Sequence, residues 1–179
     1  MKTLMTERLI LRALKPSDLD DFYGYAKKPT IGPSAGWKPH GSLEESQKIL
    51  MMMISENEVW GITLKNSDQL IGTLGLHVRN FENALENKKE IGYVLDDVYW
   101  GRGLMVEAVK KVLDDAFMEQ ELSEVLCGHA VDNDRSRRVV EKTGFVYTHT
   151  EKRNHYDGTE IEIMMYHITK IQYLGGKMI

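Results

Sequence analysis

The strongest constraint on the fold is a strand–helix–strand pattern between residues 89 and 131. Residues 89–96 alternate as a strand, residues 103–118 carry an apolar stripe at helical spacing, and residues 125–131 read as a second strand. Two strands joined through a helix in this way form a right-handed parallel crossover. The other strands are close enough in the chain to pair through hairpins. We therefore predict a mixed α/β sheet with helices on both faces.

The rest of the chain divides into short elements without repeats or a linker. A strand is expected at 8–14, helices behind capping signals at Ser17–Asp20 and Ser42–Glu45, and a Pro/Gly-rich loop at 29–41. The remaining predictions are strands at 59–65 and 69–79, a polar loop at 80–88, a helix at 135–143 closed by Gly144, and strands at 145–150 and 160–168. We expect one domain over residues 1–168 and a C-terminal tail over residues 169–179.

Composition excludes several classes of protein. The chain has 179 residues and a net charge of −4, which argues against a general nucleic-acid binder. Its single cysteine, Cys127, excludes an intrachain disulfide and a thiolate zinc site, and the six histidines show no tight metal spacing. The start lacks a signal-peptide core, and no apolar run is long enough for a membrane helix. A cytoplasmic protein without metal or membrane attachment is the expectation.

The turn between the crossover strand and its helix carries a glycine-rich sequence, Trp100-Gly101-Arg102-Gly103. Glycines let backbone N–H groups approach a ligand closely, and a helix N-terminus favours an anion. Arg102 adds a positive charge, so the segment suits a pyrophosphate. The plainer alternative is that the two glycines only turn the chain. The segment matches neither the Walker loop nor the dinucleotide fingerprint.

A second informative segment covers residues 129–145, where a strand ends in Asp132-Asn133 and a short helix follows. Asn133 is expected to cap that helix, to contact a ligand, or to do both. The helix carries a local basic patch in an acidic protein, which is either a solvated face or a phosphate site: Arg135, Arg137, Arg138 and Lys142.

Together these motifs resemble the GNAT N-acetyltransferase superfamily, and within it the branch similar to ribosomal-protein alanine acetyltransferases. The resemblance spans residues 6–168 and rests on an ordered set of motifs: Thr6 to Arg12 (TERLILR), Gly92-Tyr93, Trp100 to Gly103, Glu107-Ala108, Asn133 to Ser136, and Glu141 to Phe145. Trp100 and Met105 depart from the superfamily pattern Gln/Arg-x-x-Gly-x-Gly/Ala, as is usual in the branch with Trp-Gly-x-Gly. The resemblance implies a mostly antiparallel sheet whose one parallel strand pair splays at the cofactor.

The resemblance also implies a site for acetyl-CoA. Backbone from Arg102 to Val106 would hold the pyrophosphate, and Val94, Leu95 and Asn133 would contact the pantetheine arm. The full set of implied cofactor-binding residues is Val94, Leu95, Trp100, Gly101, Arg102, Gly103, Leu104, Met105, Val106, Asn133, Ser136 and Arg138.

Acetyl transfer to an amine needs a donor for the thioester oxyanion and a proton for the departing thiolate. The resemblance suggests the Leu95 N–H for the first and Ser136 for the second, although Ser136 is also suited to a purely structural place at a helix start. Glu90 is the candidate base, with His155 and Asp157 as rivals and a water chain as the remaining option. The loop at 29–41 would border the acceptor, where Trp37 and His40 are candidate substrate contacts.

We expect direct transfer to a primary amine in a ternary complex, with the α-amine of a protein N-terminus as one acceptor and a small amine as the other. A non-catalytic acyl-CoA-binding module and an interaction protein using the Met51-Met52-Met53 helix are the rival classes. Cys127 is expected to be inert, which disfavours an acyl-cysteine intermediate, and Trp60 is expected in the core. A homodimer is compatible with the resemblance.

Overall fold

Eight strands form one sheet in a computed structural model that describes residues 1–78 and 87–176. The strands are β1 (Leu4–Met5), β2 (Leu9–Ala13), β3 (Val59–Leu64), β4 (Leu70–His77), β5 (Lys88–Leu95), β6 (Glu124–Ala130), β7 (Val146–Asn154) and β8 (Glu160–Thr169). Their spatial order is β1-β2-β3-β4-β5-β6-β8-β7. Within the described residues every neighbouring pair is antiparallel except β5 and β6. The mixed, mostly antiparallel sheet is therefore confirmed.

Helices cover both faces of this sheet, as predicted. They are α1 (Leu19–Ala26), α2 (Leu43–Glu56), α3 (Leu104–Met118), α4 (Asp134–Lys142) and α5 (Lys170–Gly175). One apolar core lies between the sheet and α3, α4 and α5, and it includes Val112, Val140 and Tyr173. A second core lies under α1 and α2 and includes Phe22 and Leu50. None of the helices in the described parts of the chain is long and apolar enough to cross a membrane.

The parallel pair opens towards one end of the sheet. The ladder between β5 and β6 runs from Lys88↔Glu124 to Glu90↔Leu126 and stops there. Both strands continue beyond this point, β5 to Leu95 and β6 to Ala130. The backbone edges of these two strand ends therefore face a gap, which confirms the splayed pair implied by the resemblance.

Two short elements were missed by the pattern of the sequence. β1 has two residues, too few for an alternation to be seen. α5 starts at a capping box between Thr169 and Gln172, and Tyr173 packs against Phe117 with ring centroids 5.2 Å apart. The predicted boundary after residue 168 falls inside β8, and Tyr173 of α5, beyond that boundary, packs in the same core.

The predicted capping signal at Ser17–Asp20 is also wrong. Residues 16–18 form a short 3-10 turn, and no side chain caps α1. Asp18 instead accepts hydrogen bonds from the Arg12 guanidinium at 2.7 and 2.9 Å in a buried ion pair. The Ser42 cap is confirmed, since its hydroxyl accepts from Glu45 N. Of the loop predicted at 80–88, residues 80–86 lie outside the described residues, while Lys88 already belongs to β5.

Candidate active site

The turn from β5 into α3 presents an open helix N-terminus. Gly101 and Gly103 both have φ of 75°, a left-handed conformation that other residues adopt at a cost. Gly103 is the N-cap residue of α3, and no side chain caps the helix there. A Cβ added at Gly101 would meet nothing within 4 Å, so the outer side of the turn is open. The first N–H groups of α3 are thus free to bind an anion.

Trp100 ties this turn to its surroundings. The indole N–H donates to Leu95 O at 2.8 Å, which closes the end of β5. The Arg135 guanidinium carbon lies 3.9 Å from the indole centroid, a cation–π contact from α4. Arg102, which the sequence suggests as an anion ligand, is exposed with its guanidinium 5.3 Å from the Tyr99 ring centroid.

Arg8, the residue before β2, holds the glycine turn in place, a role that no pattern in the sequence indicates. Its Nε donates to Glu107 Oε2 at 2.7 Å, and its Nη1 donates to the carbonyl oxygen of Arg102 at 3.0 Å. Glu107 also accepts from the Arg8 N–H at 2.8 Å and from the Thr6 hydroxyl. In the sequence these residues belong to two separate motifs, Thr6-Glu7-Arg8 and Glu107-Ala108. The fold brings the two motifs together into one clamp that holds the glycine turn.

We expect Arg8→Ala to weaken acetyl-CoA binding about 10-fold, or about 1.4 kcal/mol, because the Arg102 carbonyl loses the donor that holds the turn. Isothermal titration calorimetry measures this directly. Lys2→Ala is the matched control, since Lys2 forms an ion pair with Glu119 beyond the other end of α3, at 3.1 Å. An unchanged dissociation constant for Arg8→Ala would mean that the turn holds its shape without the clamp.

The backbone of Leu95 faces the gap between β5 and β6. Asp96 donates its N–H to Ile71 O of β4 at 2.9 Å, so strand alternation turns the Leu95 N–H away from β4. Val94 alternates the other way and directs its N–H and C=O towards β4. Only Leu95 of the two can therefore offer a main-chain N–H to a ligand in the gap, and Val94 can offer only its side chain.

Across the gap, the start of α4 brings Asn133 and Ser136 together. Asn133 Oδ1 accepts from Ser136 N at 3.1 Å, which confirms its capping role. Its Nδ2 donates to Ser34 O at 3.0 Å, so a ligand that uses this amide N–H must displace Ser34. The Ser136 hydroxyl lies 2.7 Å from the hydroxyl of Tyr93 on β5.

The loop over residues 29–41 crosses this end of the sheet and is anchored at its base. The Lys28 ammonium pairs with Asp96 and with Asp97, the latter at 2.7 Å. The Thr30 hydroxyl donates to Asp97 Oδ2 at 2.8 Å. These bonds fasten the loop to the same β5–α3 connection that carries the glycine turn.

The hydrogen bonds of Lys28 and Thr30 to Asp97 are expected to make the stability of the fold depend on pH in the acid range. Hydrogen bonds from Lys28 and Thr30 lower the pKa of Asp97 from 3.8 to about 2. A carboxylate with a lowered pKa stabilises the fold fully above its unfolded value, and this contribution disappears as the pH falls through about 2. Asp97→Asn should therefore lower the melting temperature at pH 6, and the difference from wild type should vanish near pH 2. Thermal unfolding followed by circular dichroism tests this, with the exposed Asp132→Asn as control; a pH-independent difference would contradict it.

On the acceptor side, Trp37 and His40 lie against each other, with ring centroids 5.0 Å apart, but they differ in burial. Trp37 is half-buried and packs against the second core and Gly32. His40 is only 7% exposed, with Nδ1 2.6 Å from Ser46 Oγ and its ring 5.4 Å from that of Phe22. Burial lowers the pKa of His40. The His40 side chain therefore packs in the core and positions the loop that carries Trp37, and a contact of His40 with substrate stays a prediction.

The candidate base Glu90 lies within β5 and is largely buried. It is 9% exposed, and Arg153 Nη1 of β7 lies 3.4 Å from Glu90 Oε1. Arg153 also donates to Glu151 Oε1 at 2.5 Å. Glu90 is therefore held against a guanidinium near the end of the parallel pair.

The rival bases lie in the hairpin between β7 and β8. His155 Nε2 lies 3.4 Å from Pro33 O, which links the hairpin to the loop at 29–41. Hydrogen bonds from the Thr159 hydroxyl and N–H lower the pKa of Asp157 to about 2. Asp157 is therefore a poor base, and its role is to shape the turn.

Other candidates from the sequence occupy structural positions. Cys127 is fully buried, which raises the pKa of its thiol to about 12 and keeps it protonated, as an inert cysteine requires. Trp60 is buried and donates to Lys2 O at 2.9 Å. Met51 and Met52 are exposed on α2. Within the described ranges, no group of three or more His, Cys, Asp or Glu could hold a metal ion.

The remaining cofactor candidates divide by the direction of their side chains. Leu104 and Met105 are buried in the core under α3, so they can offer a ligand only backbone groups. Val106 is half-buried one residue further along α3, and Arg138 is exposed on α4. Buried first-turn side chains fix the helix on the sheet while its N–H groups stay outside.

Known proteins resemble this chain in sequence and in fold. Residues 8–146 match the sequence profile of the acetyltransferase (GNAT) domain. The chain thus belongs to the GNAT acetyltransferase family, whose members use acetyl-CoA as acyl donor.

Relatives and solved structures resemble the chain over lengths that range from under half of it to nearly all of it. The uncharacterized N-acetyltransferase p20 of Bacillus licheniformis is 26% identical over 185 residues, which cover 98% of this chain and 100% of p20. The ribosomal-protein-serine acetyltransferase of Escherichia coli is 30% identical over 79 residues, 44% of this chain and 42% of that protein. A GNAT-family acetyltransferase structure from Bacillus anthracis superposes with a TM-score of 0.85 at 20% identity, covering 95% and 99% of the two chains. Spermidine N-acetyltransferase from Vibrio cholerae, in complex with CoA and spermine, superposes with a TM-score of 0.76 at 21% identity, covering 93% and 98%.

Proposed function

We propose that this protein transfers the acetyl group of acetyl-CoA directly to a primary amine, and that the α-amine of a protein N-terminus is its acceptor. The observation that carries the proposal is the meeting of three features at one end of the sheet. They are the open N-terminus of α3, the gap-facing N–H of Leu95, and the hydroxyl of Ser136 across the same gap. An extended thioester with an anionic end needs a helix N-terminus for the anion, an N–H for the carbonyl oxygen and a hydroxyl near the sulfur.

In the proposed complex, the pyrophosphate binds the backbone of residues 102–106, and the exposed Arg102 and Arg138 add positive charge. The pantetheine arm lies in the gap between β5 and β6. Asn133 contacts it once Ser34 moves aside. Trp100 and the Arg8–Glu107 pair hold the turn in shape.

In the proposed reaction, the amine attacks the thioester carbonyl, and the Leu95 N–H stabilises the oxyanion. The C–S bond then breaks, and Ser136 donates a proton to the sulfur. Because Glu90 is held by Arg153, the surplus proton of the amine leaves through water rather than to a dedicated carboxylate. Transfer occurs in a ternary complex, since Cys127 is buried and protonated and forms no acyl intermediate.

The acceptor class is supported by the names of relatives that act on ribosomal proteins. A small polyamine is the second candidate, because a structural neighbour is a spermidine acetyltransferase bound to spermine. An acceptor pocket bordered by Trp37 would serve either amine. The two differ in what surrounds the reacting nitrogen, a peptide or an alkyl chain.

The test begins with calorimetric titration of acetyl-CoA, for which we expect micromolar affinity. Thiol release is then measured with peptides that begin with Ala or Ser, with spermidine and with free amino acids. Faster turnover of the peptides than of the small amines supports the proposal, and a preference for spermidine would replace it with polyamine acetylation.

Ser136→Ala should lose about 100-fold in kcat while keeping its affinity for CoA. The control is Ser67→Ala in the β3–β4 turn. CoA binding without thiol release would identify a non-catalytic binding module.

A further inference from the structure

Tyr93 occupies the gap beneath the candidate site, although neither the sequence motifs nor the proposed mechanism gave it a role. It lies on β5 two residues before Leu95, beyond the last paired position of β5 and β6. Its hydroxyl lies 2.7 Å from Ser136 Oγ and 3.4 Å from Ser136 O. The side chain therefore bridges the two elements that the gap separates.

We infer that Tyr93 is a positioning residue for acetyl transfer, whose hydroxyl donates to Ser136 Oγ and thereby turns the serine proton towards the thioester sulfur. The inference rests on the proposed function, since it assigns Tyr93 a role only through Ser136. A phenol is more acidic than an aliphatic hydroxyl, and the 2.7 Å contact is shorter than the 3.4 Å one to Ser136 O, so we assign the proton of the short bond to Tyr93.

The surroundings of the two hydroxyls support this direction of donation. Burial raises the pKa of Tyr93 well above its usual value, so the phenol keeps its proton and can donate it in a hydrogen bond. In the parts of the chain that the structure describes, Ser136 Oγ has no second hydrogen-bond partner. Asn133 fixes the backbone of Ser136 through its N–H. With its oxygen occupied by Tyr93, the serine hydroxyl can point its own proton into the gap.

The step balances without a proton from Tyr93. The amine nitrogen attacks the thioester carbon and forms the C–N bond. The C–S bond breaks, and the electron pair of that bond goes to sulfur. Sulfur takes the proton of Ser136, the nitrogen releases one proton to water, and Ser136 recovers one from water. The bond from Tyr93 stabilises the negative charge that develops on Ser136 Oγ during this exchange.

The experiment is a double-mutant cycle on Tyr93→Phe and Ser136→Ala, with thiol release as the readout. We expect Tyr93→Phe to lower kcat about 10-fold and to leave KM for acetyl-CoA within about twofold. In the Ser136→Ala background the same change should have no further effect on kcat, because the bond is already lost. Tyr173→Phe is the matched control, since it removes a hydroxyl that bonds Lys110 O and Asp114, away from the gap.

The outcomes separate this inference from the proposed function. A wild-type protein that releases no thiol overturns the acetyltransferase, and the role of Tyr93 with it. When the wild type turns over, a Tyr93→Phe kcat within twofold of wild type overturns the role of Tyr93 alone. An equal loss in both backgrounds also overturns it, since a merely structural residue would behave in that way. If Tyr93→Phe does not fold, 3-fluorotyrosine at position 93 keeps the shape and strengthens the donor; an unchanged kcat would overturn the inference.

Discussion

Replacing Gly103 with aspartate is expected to abolish the binding of acetyl-CoA. The change places a carboxylate at the N-terminus of α3, where the proposed pyrophosphate accepts its hydrogen bonds, so two anions compete for one site. The left-handed φ of 75° adds strain to any side chain at this position. A Cβ there would meet only Arg8 Nη2, at 3.8 Å, so the protein should still fold.

Calorimetry should show at least a 100-fold rise in the dissociation constant of Gly103→Asp. Gly158→Asp is the matched control, because Gly158 has φ of 83°, lies in the β7–β8 turn and has open space around it. That variant carries the same strain and charge but should bind normally. Normal binding by a folded Gly103→Asp would place the pyrophosphate elsewhere.

A single methyl group at Gly72 is expected to reduce acetyl transfer about 100-fold. A Cβ on Gly72 of β4 would lie 2.3 Å from Val94 O and 3.0 Å from Leu95 Cα. Both are backbone atoms, so the end of β5 must move for the methyl group to fit. A displacement of about 1 Å at the oxyanion donor is enough for a loss of this size.

Steady-state kinetics and thermal unfolding of Gly72→Ala should show a larger loss in kcat/KM than in stability, which we expect to fall by about 1–3 kcal/mol. Gly24→Ala in α1 is the control, since its Cβ meets nothing within 4 Å and alanine favours a helix. Gly72 carries no motif in the sequence. A Gly72→Ala enzyme with wild-type rate would show that the backbone of Leu95 does not set the rate.

Local patterns predicted much of the molecule correctly. The crossover from β5 through α3 to β6 follows from the change between strand and helix periodicity, and Gly144 ends α4 with φ of 86° as predicted. Asn133 caps α4 for the same local reason. These features depend on neighbours within a few residues, which a single sequence displays.

The sequence does not show contacts between residues that are distant in the chain. The His40 ring lies 5.4 Å from that of Phe22, on another element. Arg153 lies 63 positions from Glu90 in the chain and 3.4 Å from it in space. No spacing rule relates such pairs, because the sheet order brings them together.

The sequence by itself determined a mixed α/β fold and a glycine turn suited to an anion, and its ordered motifs carry the resemblance to the GNAT family. The fold class and the turn rest on local information, since periodicity, capping and left-handed glycines act within one or two turns of chain. Only the tertiary structure decided which groups face the gap between β5 and β6. Strand alternation points the Leu95 N–H into the gap and that of Val94 away from it, and packing places Tyr93 against Ser136 and Arg8 beneath the glycine turn. These contacts exist because burial of the two apolar cores forces distant segments together.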